Sequence, residues 1–180
     1  TLAQIVTDNS IAKTADINMY KLDPRFNFSR VNVSSFHSVV LLTGQVPDSY
    51  LKQLAEQNVR AMSDVKDVHN YISVGEKLDY NAIVKDGVTT ANIRTQILRQ
   101  QGLSTTRIKV VTEAGVVYAM GRLTPIENQL LMQILQNTQG IAKIVSLIDF
   151  LPADGSRPLV LMLCNQCGSF QSPSTVNHLG

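Results

Sequence analysis

Val31, Val33 and Ser35 alternate with their neighbours, and a second apolar run from Val39 to Thr43 answers them across His37-Ser38. Alternation on both sides of a short polar break predicts a β-hairpin. The pattern then returns. Arg30-Val31-Asn32-Val33 through Gly44 lies without a gap on Arg107-Ile108-Lys109-Val110 through Gly121. Arg30/Arg107, Val33/Val110, Val39/Val116, Val40/Val117 and Gly44/Gly121 are identical, and Val31/Ile108 and Val46/Leu123 are similar. In the second copy Glu113-Ala114-Gly115 supplies the turn, with Gly115 suited to a positive φ.

The elements around each hairpin repeat as well. After each glycine comes a Pro-opened helical segment, residues 47–62 and 125–138. Leu51, Leu54, Ala55, Val59 and Met62 form the apolar stripe of one, and Ile126, Leu130, Leu131, Ile134 and Leu135 that of the other. Thr124, Pro125 and Glu127 spell an N-cap, a first-position proline and a capping box. β-rich runs follow at residues 65–74 and 141–151, and further helical stretches precede the hairpins at about 10–21 and 88–101. The expected fold is α+β. It comprises two tandem α-β-β-α-β modules, each with two helices packed on one face of a three-stranded mixed sheet. The boundaries read as 1–75 for the first module, 76–84 for a linker, 85–152 for the second module and 153–180 for a tail of undetermined structure.

Composition narrows the function. The chain of 180 residues is 44% hydrophobic, enough for a core, but only 6% aromatic with no Trp, a poor base- or sugar-stacking platform. Net charge is +2, too mild to imply nucleic acid, and no apolar run approaches the roughly 20 residues that cross a bilayer. The charge is unevenly spread. Residues 8–75 hold seven Lys/Arg against seven Asp/Glu, whereas residues 85–152 hold seven against four. A positive second module attracts anionic surfaces in general.

Duplicated α-β-β-α-β order, the segments Val88-Thr-Thr-Ala-Asn-Ile-Arg-Thr-Gln-Ile-Leu98 and Arg107-Ile-Lys-Val-Val-Thr-Glu-Ala-Gly-Val-Val-Tyr-Ala-Met-Gly121 carry a resemblance. Val31-Asn-Val, Val40-Leu-Leu-Thr-Gly-Gln45 and Val68-His-Asn-Tyr-Ile72 match in the first copy. Together with the opening Thr1-Leu-Ala-Gln-Ile-Val-Thr-Asp-Asn-Ser-Ile11, they resemble the dual BON-domain lipoproteins of the bacterial outer membrane over roughly residues 1–152. That resemblance implies a periplasmic protein anchored through a lipidated cysteine upstream of Thr1. It also implies anionic phospholipid binding by the first helix of the second module, support of outer-membrane integrity, and outer-membrane assembly proteins as further partners. Members can carry an aromatic at the start of that helix, where this chain has Val88.

The helix reads the same way on its own. Ile93 and Ile97 mark the core direction, whereas Val88, Ala91, Thr95 and Leu98 fall on another sector flanked by Arg94 and Arg99. An apolar strip edged with Arg is what an interfacial helix needs, since side chains enter the acyl boundary while cations meet phosphates. The competing reading makes Leu98 a cover for the core edge and both arginines merely solvated. No catalytic constellation, cofactor loop or metal set is recognisable, so no enzyme, cofactor or nucleic-acid partner is expected. The lone pair Cys164-Asn-Gln-Cys167 in the tail fits a structural disulfide or a stray pair better than redox or metal chemistry. Two alternatives share the fold: a soluble periplasmic BON protein acting as chaperone or protein-interaction module, and an assembly module recruiting a partner strand at a sheet edge.

Overall fold

The computed structural model describes residues 1–153. The tail beyond them, with Cys164, Cys167 and the apolar run 159–163, lies outside the described residues. Module one is α1 (Leu2–Leu22), β1 (Arg30–Phe36), β2 (Val39–Val46), α2 (Ser49–Arg60), β3 (Asp67–Asn70) and β4 (Ser73–Val74). Module two is α3 (Tyr80–Arg99), β5 (Ile108–Glu113), β6 (Val116–Leu123), α4 (Pro125–Asn137) and β7 (Lys143–Phe150). In each, the hairpin is antiparallel and the last strand returns parallel to the second. In the first module that last strand is broken at Tyr71-Ile72 into β3 and β4, both paired with β2. The expected α+β duplication is therefore present, and Gly44 opposite Val31 matches Gly121 opposite Ile108 in register. A Cβ at Gly121 would stand 2.7 Å from the Arg107 carbonyl oxygen, and one at Gly44 would collide with that of Arg30, so both positions exclude a side chain.

Strand alternation decides which side chain goes where. In β2, Val40, Leu42 and Val46 point to α1 and α2, while Leu41 points away. In β6, Val117 and Ala119 meet α3 and α4, while Tyr118 and Met120 point away. Neither sheet leaves its second face in water. Leu41, Tyr118 and Met120 bury one another between the sheets, and the Tyr71 ring packs at a tilt against Tyr118, 5.0 Å between centroids, giving helices, sheet, sheet, helices in section. The hairpin end of module one (Phe36, His37) lies by Gly121 and Arg122, and the hairpin end of module two (Glu113) lies by Gln45. The two contacts are exchanged by swapping equivalent residues, which is a pseudo-two-fold relation through the Leu41–Tyr118 pair. Glu113 accepts hydrogen bonds from Arg30, Asn32 (3.2 Å) and Gln45 (2.8 Å), locking the modules with a buried carboxylate whose lone pairs are used.

A second pair of carboxylates fixes the helices to the hairpins. Asp8 in α1 accepts from the backbone N–H of His37 and Ser38 at 2.9 and 2.8 Å and from the Ser35 hydroxyl. Asp86 in α3 does the same for Ala114 and Gly115 at 2.8 and 2.9 Å. Both turns need positive φ at two successive residues, the two-residue form that suits strand twist. The core-facing sets then coincide as Asp8/Asp86, Ile11/Thr89, Ala15/Ile93 and Met19/Ile97.

Four sequence expectations are corrected here. Both leading helices begin about two turns before positions 10 and 88, capped by Thr1 and Asp79, so α3 already starts within the span 76–84. The added turns pack little apolar surface and put an aspartate at the core-facing position, so they carry no apolar stripe toward the core. The second of these helices ends at Arg99, short of the expected 101. The first module's α2 opens at Ser49 with Asp48 as N-cap, leaving Pro47 outside it. Ile126 is 68% exposed, while Leu131, Ile134 and Leu135 form the buried stripe of α4. The capping box at Thr124 and Glu127 is present as expected.

Candidate membrane-binding surface

Helix α3 packs on the edge strand β5 through Ile93 and Ile97, which are 0% and 2% exposed. Advancing about 100° per residue from there places Val84, Val88 and Thr95 opposite the core, with Ala91, Tyr80 and Leu98 beside them toward Arg94. All six residues named from the sequence, Val88, Ala91, Arg94, Thr95, Leu98 and Arg99, are exposed. Leu98 is 74% exposed, which removes the core-edge reading of that residue. Arg94 flanks the strip on the side of β5, and Arg99 flanks it on the other. The Thr95 hydroxyl donates to the Ala91 carbonyl at 2.9 Å, so this polar residue turns its donor inward and leaves its methyl on the strip.

Two apolar residues were hidden from the sequence reading. Tyr80 (78% exposed) and Val84 (46%) lengthen the strip by two turns. The signal was the spacing 80, 84, 91, 98, masked by assigning the first two to a linker. An aromatic thus does stand at the first position of this helix, two turns upstream of Val88.

Lys109 is the other residue that sequence reasoning passed over. On β5, its ammonium donates to the Ser35 carbonyl of the first module at 3.1 Å, on the inter-sheet face it shares with Met120 rather than on the side of α3. Burial pushes the Lys109 ammonium pKa down, the positive charge of Arg94 adds to this, and Asp8 opposes it.

The family model of the BON domain matches residues 11–76 and 85–152, the two modules. The chain belongs to the BON-domain family. Among related proteins, the 21 kDa hemolysin of Actinobacillus pleuropneumoniae is 27% identical over 146 residues, which are 81% of this chain and 75% of that protein. The outer membrane lipoprotein DolP of Haemophilus influenzae is 27% identical over 144 residues, 80% and 70% of the two chains. Among solved structures, CdsD, a structural protein of the type III secretion system of Chlamydia trachomatis, is 13% identical with a TM-score of 0.33 over 89% of this chain and 99% of that one. That score is too low to bear on fold or function. Among the described residues of this BON protein, no helix is long and apolar enough to cross a membrane.

Proposed function

We propose that this chain is a non-enzymatic envelope protein that meets anionic phospholipid through α3 of its second BON module, at the inner leaflet of the outer membrane, and so supports outer-membrane integrity. The observation that carries the reading is the strip Tyr80, Val84, Val88, Ala91 and Leu98, exposed along the whole helix and edged by Arg94 and Arg99. Apolar side chains with this exposure reach the acyl boundary, and arginines at the edge meet phosphates within the Debye length. A relative named as an outer membrane lipoprotein supports the envelope placement, with anchoring by a lipidated cysteine upstream of Thr1. Outer-membrane assembly proteins would be the protein partners.

The test is co-sedimentation of the full chain with phosphatidylglycerol-containing vesicles and with pure phosphatidylcholine vesicles. Binding that requires the anionic lipid and is lost in Leu98→Glu supports the proposal; equal binding to both vesicles, or to neither, contradicts it. One observation favours a second reading, a periplasmic chaperone or protein-interaction module. Helix α1 also exposes Leu2, Ile5 and Val6, an apolar patch on the module that is electrically neutral.

A further inference from the structure

Each module ends in a strand that pairs on one side only, and the two resulting sheet edges differ. In module one the edge is blunted. β3 covers only Asp67–Asn70, the strand breaks at Tyr71-Ile72, and the Arg60 guanidinium donates to the Val68 carbonyl at 3.1 Å. Short strands, breaks and charged side chains are ordinary protection of an edge. β7 instead runs unbroken over Lys143–Phe150. The Leu151 N–H donates to the Leu123 carbonyl at 2.8 Å, which fixes the direction of the backbone groups. Odd-numbered residues of β7 turn theirs to β6, so Ile144, Ser146, Ile148 and Phe150 turn theirs outward. Among the described residues, no other strand or turn bonds to that outward row.

This edge is complementary to itself. Laid antiparallel on a second copy about Ser146, the run Lys143-Ile144-Val145-Ser146-Leu147-Ile148-Asp149 sets Ser146 opposite Ser146 and Ile144 opposite Ile148. Val145 then meets Leu147, and Lys143 meets Asp149 at both ends. The register brings outward residues opposite outward residues, so the hydrogen bonds of the new ladder can close. Opposite charges face each other across the strands, and apolar residues face apolar ones. Lys143 and Asp149 are both exposed. Asp149 accepts from Arg122 at 3.2 Å, and Lys143 has no ion pair among the described residues. The equivalent run of module one lacks this property, since Asp67 would meet Ser73. A two-fold contact requires a self-complementary surface, and the duplicated fold carries one only at β7.

We propose that β7 is a dimerisation edge: two copies pair antiparallel through Lys143–Asp149 and join their second-module sheets into one. β5, the strand on which α3 packs, is the opposite edge of that sheet, so pairing at β7 leaves the α3 strip of both copies uncovered. Pairing here does not depend on what α3 binds.

The test is sedimentation velocity of the full chain over a concentration series. The chain should pass from monomer to dimer as concentration rises. Ser146→Pro removes an outward N–H and no bond to β6, so it should raise the dissociation constant about tenfold or more. Lys143→Asp sets like charges opposite at both ends and should also weaken the dimer, while Lys143→Asp combined with Asp149→Lys should restore it. The charge variants keep the test open should Ser146→Pro fail to fold. With Cys164→Ser and Cys167→Ser in place, Ser146→Cys should form a disulfide between copies under mild oxidation, since such paired Cα atoms lie about 5.5 Å apart. A chain that stays monomeric at every concentration, whatever covers the edge, residues 159–163 included, overturns the proposal. So does a dimer indifferent to both Ser146→Pro and Lys143→Asp.

Discussion

Helices α1 and α3 occupy equivalent places, yet only their inner faces agree. Inside, Asp8 and Asp86 hold the two hairpin turns by the same pair of backbone hydrogen bonds, and Ala15 and Ile93 fill the same position. Outside, Lys13 interrupts the strip of α1 where α3 has Ala91, Asp16 replaces Arg94, and Ser10 replaces Val88. Both helices expose apolar residues, so apolar exposure alone does not separate them. Continuity of the strip and the sign of its edge do. The duplicated fold is held by the shared inner face, which leaves the outer face of one copy open to a specific task.

The inner-face half of this comparison carries the largest expected effect. Asp8→Ala and Asp86→Ala each leave two buried turn N–H groups without a charged acceptor, so each should cost about 3 kcal/mol in denaturant unfolding. A large loss in one and none in the other would break the equivalence of the two helices. On the outer face, Leu98→Glu should change stability by less than about 0.5 kcal/mol, as expected of an exposed site, while abolishing vesicle binding. The equivalent Tyr20→Glu should leave binding intact. Loss of melting temperature at Leu98 with unchanged binding would make α3 an ordinary structural element.

Smaller effects sharpen the charge difference. Arg94→Glu and Arg99→Glu should each weaken vesicle binding, and the loss should shrink at high salt because screening removes the attraction. Val88→Trp should strengthen it, since Trp settles at the interface and Val does not anchor there. The smallest expected effect lies at the turns. Burial, aided by Arg122 of the other module, holds the His37 pKa below its ordinary value, whereas the second turn has Ala114 in its place. A histidine that protonates less readily in the folded chain contributes stability at neutral pH that is lost as pH falls below the unfolded value of about 6.5. His37→Asn should therefore flatten the stability profile between neutral and mildly acidic pH, and an unchanged slope would refute the assignment.

Most of the fold was legible because it rests on short-range patterns. Alternation in β1, β2, β5 and β6, the turns at His37-Ser38 and Ala114-Gly115, and the capping box of α4 are all local. What escaped was long-range. Asp8 and Asp86 read as surface carboxylates until the hairpin turns are brought against them, and this hid the first two turns of both helices. Tyr80 and Val84 were lost with those turns. Lys109 reads as an outward residue of a strand, and only the packing of the two sheets, which brings Ser35 against it, turns it inward. The six strip residues were legible because one helix carries them all, and periodicity suffices within one helix.

The chain contains no Trp, so a single introduced Trp reports its own surroundings without background. Leu98→Trp and Tyr20→Trp place that reporter at equivalent points on α3 and α1. On addition of phosphatidylglycerol vesicles, emission from position 98 should shift to the blue and be quenched by brominated acyl chains, while emission from position 20 stays as in buffer. A blue shift at 20 with none at 98 would contradict the account.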